Sequence, residues 1–586
     1  MGRSDGWRFW LPVLLLAVFA AYSGQKLIRA HISLDPDIKL PNYDKTWRLQ
    51  TLRGAILPAG DSICPFVKSV PIFEYRFDPK QLEKSLGSKY GQKRFAEGRG
   101  TKKAVLKAIA AATGISYRKL CEMYDYKGPG RNYQLLGRST DPEMHQILTN
   151  RSLVAGVSVI DSQERKYFCG RSLCHVINGV ERRYYTELNG EEGVIYGKRD
   201  ASNREIYDRR VAMKAPTLGS DVYLTIDPTV QLDAERCLSW GIGEYGAGAG
   251  WCIVMDARTG AILAMASQPD FDPARPDKAS EEARRNRTIA FRYEPGSVMK
   301  TITAAIAIDL GKATPKTRYS TDRYEDGYYK LPGDGSHRWE PTMNLADAIA
   351  HSSNIVIGKI AYRLGPQLLS EGMRRFGFGE RIGIELPDEQ RGFIEDWRKW
   401  DKATQSRAGI GQGVSVTALQ LISAYQAIAN DGVRMQPYVI DRIVEPDGTT
   451  TKFTPTEIGR PIKASTARTM REMMLAVASP TGTARRAAVK GYSVAGKTGT
   501  AQKIINGHYS DALYWATFCG IVPASDPRLV ILVSLDFDQR TKFHQGGNSA
   551  GPIFKRLAIK ALRHLMVPPD RPDELDDDDM EADDIF

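Results

Sequence analysis

Glu294-Pro295-Gly296-Ser297-Val298-Met299-Lys300 is the stretch on which the reading of this chain turns. Pro295 and Gly296 favour a sharp turn, and Met299, Ile302, Ile306 and Leu310 then recur at helical spacing. The pattern predicts a helix opening at Ser297, with the positive helix end beneath its hydroxyl. Lys300 falls one turn along, on the same face. An alcohol becomes a useful nucleophile once a neighbour takes its proton, and a lysine buried deeply enough to shed its charge can do that. The tetrad alone is weak, because about two Ser-x-x-Lys matches are expected by chance in a chain of this size. Ser23 and Ser116 begin two others, and a capping serine beside a solvated lysine is the commoner meaning of the pattern. Ser23 ends an apolar segment; Ser116 has neither a Pro-Gly turn before it nor a helix of suitable pattern after it.

Two further clusters change that balance. Ser352-Ser353-Asn354 follows a helical Leu345–Ala350, and Lys497-Thr498-Gly499-Thr500 follows a predicted strand at Tyr492–Ala495. Asn354 can orient an amide and the lysine, and Ser352 can relay a proton to a leaving amine. Lys497 brings a second cation, which lowers the proton affinity of Lys300 and attracts a carboxylate. A strand carrying Thr-Gly-Thr offers its backbone to an extended peptide, with Gly499 leaving room for close approach. Singly, Ser352, Asn354 and Lys497 would each be surface polar residues more often than not. Together and in this order they argue against coincidence.

The surroundings predict an α+β domain whose sheet is gathered from distant segments. Trp251–Met255 and Ala261–Met265 flank the turn Asp256–Gly260 as a β-hairpin, and helices dominate from Ser297 to about Asn430. Strands return at Tyr514–Val522 and Leu529–Phe537. A last helix over Gly551–Met566 carries the stripe Ile553, Phe554, Leu557, Ala561, Leu562 and Leu565. Upstream, a helix is predicted at Thr101–Thr113 and strands at Leu153–Val159, Gly193–Tyr196 and Val222–Ile226. The last of these runs into a helix start at Asp227-Pro228.

Phe9–Tyr22 is almost unbroken in apolar residues, and Trp7–Ile28 is long enough to span a bilayer. The competing reading is a cleaved signal peptide, with Ala20, Ala21, Ser23 and Gly24 at the cut. The formal charge is +12 over 586 residues, yet Asp570–Phe586 holds ten acidic residues and one arginine, leaving +21 on the rest. A basic body could meet nucleic acid, a membrane or an anionic polymer. Zinc-finger spacings, an RRM signature and a P-loop are all missing, so nucleic acid is not expected. Seven cysteines are too few for a disulfide scaffold. Cys169 and Cys174 could pair or stay free, and with His175 they remain one ligand short of a zinc site, so neither metal nor cofactor is expected.

The triple of motifs at Ser297, Ser352 and Lys497 is one that penicillin-binding proteins and serine β-lactamases share. Over residues 48–565 the chain resembles class B penicillin-binding proteins, and the cell-division type most. The resemblance rests on Arg53-Gly-Ala-Ile56, Leu224-Thr-Ile-Asp-Pro-Thr-Val-Gln231, Glu294-Pro-Gly-Ser297, Gly411-Gln-Gly-Val-Ser-Val-Thr417 with Leu419-Gln420, and Lys497-Thr-Gly-Thr-Ala-Gln502. Glu294 before Pro-Gly-Ser favours the division or sporulation branch over the elongation branch. The family's Asp-Arg-x-Gly is replaced here by Leu57-Pro-Ala-Gly60, and 60–190 matches its pedestal loosely.

The resemblance implies a cytoplasmic tip and anchor over 1–30, a pedestal over 31–235, a transpeptidase domain over 236–566 with an antiparallel sheet between helical layers, and an acidic disordered tail over 567–586. It implies a peptidoglycan D,D-transpeptidase outside the inner membrane, single-pass with its N-terminus in, and without a glycosyltransferase domain. Ser297 would attack the D-Ala-D-Ala bond of a stem peptide, Lys300 would take its proton, and the backbone N–H groups of Ser297 and Thr500 would form the oxyanion hole. Ser352 would protonate the departing D-alanine, while Lys497, Thr498 and Thr500 hold its carboxylate. β-Lactams would acylate Ser297, and a membrane glycosyltransferase or division proteins would be partners. The alternatives are a D,D-carboxypeptidase or β-lactamase using the same serine, and a non-catalytic division scaffold.

Overall fold

Asp227 begins the catalytic half by capping a long helix, accepting hydrogen bonds from the N–H groups of Thr229 and Val230. That helix, α1 (Pro228–Tyr245), ends on Gly246 in the left-handed conformation. In this computed structural model the described residues are 44–60, 64–87, 101–150, 153–199, 205–206, 212–325, 329–334, 339–539 and 541–575. The expected anchor over 1–30 lies outside them, as do residues 576–586. Among the described residues no helix is long and apolar enough to cross a membrane.

After α1 come the hairpin β1 (Ala249–Asp256) and β2 (Ile262–Gln268), then the helices α2 (Met299–Asp309), α3 (Leu345–Ala350), α4 (Asn354–Leu364), α5 (Ala418–Ala429) and α6 (Ala464–Leu475). The chain closes with β3 (Ala495–Ile505), β4 (His508–Val522), β5 (Leu529–Phe537) and α7 (Ala550–His564). The strands form one antiparallel sheet in the order β2-β1-β5-β4-β3, so β3 is an edge. Helices cover both faces. Phe518 meets Phe554 of α7 edge-on at 4.8 Å, and Gly520 lies under the same ring. Cys519, between them on β4, turns the other way towards Tyr425 of α5. This double burial is why β5, Leu-Val-Ile-Leu-Val-Ser-Leu-Asp-Phe, lacks polar alternation. Helix α2 is buried from Met299 through Ala307, which makes it a central helix rather than the one-faced helix its stripe suggested.

The pedestal's main sheet is built from both halves of the chain. Its order runs Thr450–Lys452, Ile440–Val444, Asp221–Leu224, Ile56–Leu57, Val67–Phe77 and Gln134–Ser139, with Val157–Tyr167 along the other side of Val67–Phe77. Arg53-Gly-Ala-Ile56 enters it tightly: a Cβ on Gly54 would sit 1.9 Å from the Ser220 carbonyl oxygen. The helix Lys102–Thr113, capped by Thr101, buries Val105, Leu106 and Ile109 in a separate small core with Tyr75, Phe77 and Leu82. A second unit comprises the strand Asp44–Leu49 paired with Gly193–Arg199, which also pairs with Glu205–Ile206 and Ala212–Lys214.

Several expectations need correcting. The boundary at 235/236 falls inside α1, which packs on the catalytic sheet and α7 as one piece. The pedestal is not a continuous 31–235, because Ile440–Val444 and Thr450–Lys452 complete its sheet. Leu153–Val159 becomes Val157–Tyr167, since Gly156 turns at φ +75° against Asp78. Residues 567–575 of the expected disordered tail are ordered into the body instead. Val567 is buried, and Asp570 accepts hydrogen bonds from the Ser493 N–H (2.8 Å), the Ser493 hydroxyl and the Ser525 hydroxyl (2.5 Å). Cys169 and Cys174 are free thiols, which burial pushes up to about 11 and about 12.

Candidate active site

Ser297 sits in the single turn Gly296–Val298 that leads into α2. Gly296 adopts φ +57° and donates to the Gly411 carbonyl at 3.0 Å. Gly411 is itself at φ +82°, and a Cβ there would fall 2.1 Å from the Gly296 oxygen. Gly499 on β3 comes equally close, since a Cβ would lie 2.9 Å from the Pro295 carbonyl and 3.2 Å from Val298. Glycine at these contacts lets the Ser297 turn rest directly on the free edge of the sheet. The motif Lys497–Thr500 lies inside the strand Ala495–Ile505, as the reading of a strand carrying Thr-Gly-Thr required, but that strand starts where the predicted Tyr492–Ala495 ends. Tyr492–Val494 precede β3, with an isolated bridge from Val489 to Tyr492.

Lys300 and Lys497 are both buried. The Lys300 ammonium donates to the Ser352 carbonyl at 2.5 Å and the Ser352 hydroxyl at 3.2 Å. Burial lowers its pKa to about 7, opposed by the charge of Asp334. Lys497 donates to the carbonyl and hydroxyl of Thr498 at 3.3 and 3.4 Å. Burial, with the neighbouring charge of Lys300, holds it well below the usual lysine range. Burial is the main cause at both lysines, and the repulsion between the two amines disfavours charging both at once.

Ser352 occupies the left-handed region at φ +62°, a strained position for a residue with a Cβ. Asn354 opens α4, and its side-chain amide donates to the Gly333 carbonyl at 2.6 Å; it accepts no hydrogen bond from a lysine among the described residues. The organiser of this loop is Asp334, which sequence reasoning missed. Its carboxylate accepts from the Ser353 hydroxyl (2.7 Å), the Trp339 ring N–H (2.8 Å), the Ile355 N–H (3.2 Å) and the Asn354 N–H. Thr483 was missed too; Thr498 donates to its hydroxyl at 3.2 Å. Thr500 accepts from the Gly546 N–H at 3.2 Å. Glu294, read from sequence only as a branch marker, is buried and joins three walls of the site. One oxygen accepts from the Gly413 N–H (2.7 Å) and the Tyr509 hydroxyl (3.3 Å); the other is buried without a partner among the described residues. Burial raises this carboxyl, and burial with the charge of Glu294 pushes Tyr509 up to about 12. Ser116, the decoy, does cap a helix after all (Tyr117–Asp125), with Lys119 exposed.

Residues 250–558 match the penicillin binding protein transpeptidase domain, more than half of the chain. The chain belongs to the class B penicillin-binding proteins. Among curated relatives, it is 32% identical over 455 residues to the probable peptidoglycan D,D-transpeptidase PenA of Neisseria meningitidis, covering 76% of each chain. It is 31% identical to stage V sporulation protein D of Bacillus subtilis, covering 79% of this chain and 73% of that one. Among solved structures, penicillin binding protein 3 of Mycobacterium tuberculosis complexed with aztreonam superposes with a TM-score of 0.66 at 27% identity, over 90% of this chain and 99% of the other. This class B penicillin-binding protein is accordingly a peptidoglycan D,D-transpeptidase, and its antiparallel sheet between helices is the fold of its relatives.

Proposed function

We propose that the chain cross-links peptidoglycan through an acyl-enzyme on Ser297. The observation that carries this reading is the convergence of three segments: the Ser297 turn lies on the open edge of β3, and the buried amine of Lys300 reaches Ser352. A stem peptide would add to β3 as an extra strand, bringing its D-Ala-D-Ala carbonyl to Ser297. Lys300, near neutral pH by burial, takes the serine proton, and Ser352 passes a proton to the departing D-alanine. Lys497, Thr498 and Thr500 hold the terminal carboxylate, whose arrival would raise the proton affinity of Lys497. The backbone N–H groups of Ser297 and Thr500 stabilise the oxyanion, each worth about 3–4 kcal/mol in the transition state. An amine from a second stem then resolves the ester and forms the cross-link.

We place this activity in septal wall synthesis, from Glu294 before Pro-Gly-Ser, and outside a membrane spanned once by Trp7–Ile28. Mass spectrometry after β-lactam treatment is expected to find the adduct on the peptide containing Ser297, with Ser297→Ala unlabelled; an adduct at Ser116 would overturn the assignment. For topology, alkaline phosphatase fused after Phe586 is expected to be active. An inactive fusion would refute the orientation.

A further inference from the structure

A cavity of about 980 Å³ lies apart from the Ser297 turn. It opens between the pedestal helix Cys174–Arg183 and the segment 276–292 that leads into the Ser297 turn, with Leu386–Asp388 as a third wall. Its size suits a substantial ligand rather than a few waters.

Four arginines line it. Arg182 is committed to Asp388 at 2.6 Å, and Arg285 to Glu282 and Glu281 at 3.5 and 3.8 Å. Arg284 and Arg292 also line the cavity and are exposed; neither makes an ion pair or a side-chain hydrogen bond among the described residues. Asn178 on the pedestal helix adds an amide, and Phe291 and Ile289 supply apolar wall. Unpaired guanidinium groups set between amides and apolar surface match a ligand whose carboxylates are spaced along an amide-rich chain. A flat basic surface, as a lipid bilayer would need, is not what this concave and mixed lining offers.

Position narrows the ligand further. Only Tyr293–Gly296 separates Arg292 from Ser297, so the two lie within about 17 Å along the chain at about 3.4 Å per residue. An extended five-residue stem has the same reach. Phe291 also packs at 5.4 Å from Trp251 and 6.2 Å from Trp515, and Trp515 pairs with Ala501 of β3. The cavity wall is thus linked to the Ser297 turn along the chain and to β3 through Trp515.

We propose that this cavity is an exosite for uncross-linked peptidoglycan, in which Arg284 and Arg292 hold carboxylates of one stem while a neighbouring stem of the same strand reaches Ser297. The proposal rests on the transpeptidase reading for its ligand but does not depend on which residue is acylated.

The test uses the full-length protein in detergent with fluorescent, soluble, uncross-linked glycan strands bearing pentapeptide stems. Binding is measured before and after penicillin treatment, for the wild type and for Arg284→Glu/Arg292→Glu. Strand binding is expected to persist in the penicillin-treated wild type and to weaken at least about 10-fold in the double variant, whose rate of penicillin labelling stays within about two-fold of wild type. Arg284→Ala/Arg292→Ala, with the melting temperature checked, should give a smaller loss and guards against misfolding. Equal binding by wild type and both variants would overturn the exosite, as would binding that penicillin abolishes entirely. So would a preference of the cavity for phosphatidylglycerol vesicles over the strands. Failure of penicillin to label Ser297 would instead strike the acyl-enzyme reading, and the charge-reversal comparison would still be read on untreated protein.

Discussion

Lys300 titrates near pH 7 because it is buried, whereas an unfolded lysine holds its proton to about 10.5. If its neutral form takes the Ser297 proton, acylation by penicillin should rise with pH through about 7 and then level off, and Lys300→Arg should abolish it with the fold intact, because guanidinium keeps its proton. Near-normal labelling of that variant would assign the base elsewhere. Stability also rises with pH, but over a higher window. Between about 7 and 10.5 the unfolded state binds more protons, so wild-type stability rises with pH across that window. Lys300→Met should therefore be the more stable protein below pH 7, by on the order of 2–4 kcal/mol, with the gap closing towards pH 10.5 in denaturant titrations. Glu294 makes a second residue-scale case. Glu294→Ala releases Gly413 and Tyr509 together, and is expected to cost about 1.5–3 kcal/mol of stability and about 10-fold in acylation rate. Tyr509→Phe should reproduce only part of that loss; a full loss would mean that Gly413 is irrelevant. The Ser297, Ser352 and Lys497 clusters were legible because each is a short local pattern. Asp334 was not, since its role lies in holding Ser353, Asn354 and Trp339 across a loop, and no fixed spacing announces such contacts.

At the scale of elements, the site depends on how closely a turn approaches a strand edge. Gly411→Ala must push the Gly296 carbonyl aside and also strains a left-handed backbone. It should lower penicillin acylation about 100-fold, the order expected when a catalytic group shifts by about 1 Å. A rate unchanged by Gly411→Ala would show that the turn does not need this contact. The strands that pack on both faces, such as Leu529–Phe537, stood out in the sequence as apolar runs. β3 did not, because Lys497, Thr498 and Thr500 read as polar; they are covered by the Ser297 turn and by Thr483 and Gly546, not by a hydrophobic pattern. The pairing of Ile440–Val444 with Asp221–Leu224 was likewise invisible, since partners so far apart in the chain leave no local trace.

For the whole molecule, the contribution of the C-terminal residues can be tested directly. Truncation after Met566 removes Asp570 from Ser493 and Ser525 at the foot of β3, and should cost about 2–4 kcal/mol and weaken penicillin labelling. Truncation after Leu575 should leave both unchanged in thermal melts and labelling assays. The interleaved sheet has a consequence for biogenesis as well. β1 and β2 are synthesised early, but β5, the strand that lies between β1 and β4, is separated from Asp256 by everything up to Leu529. At about 5–20 residues per second, that is a wait of roughly 14–55 s with the edge of β1 unsatisfied. During that interval the hairpin Ala249–Gln268 is a template for mispairing, and the time a nascent chain spends there, rather than its final stability, sets how much it needs a holdase.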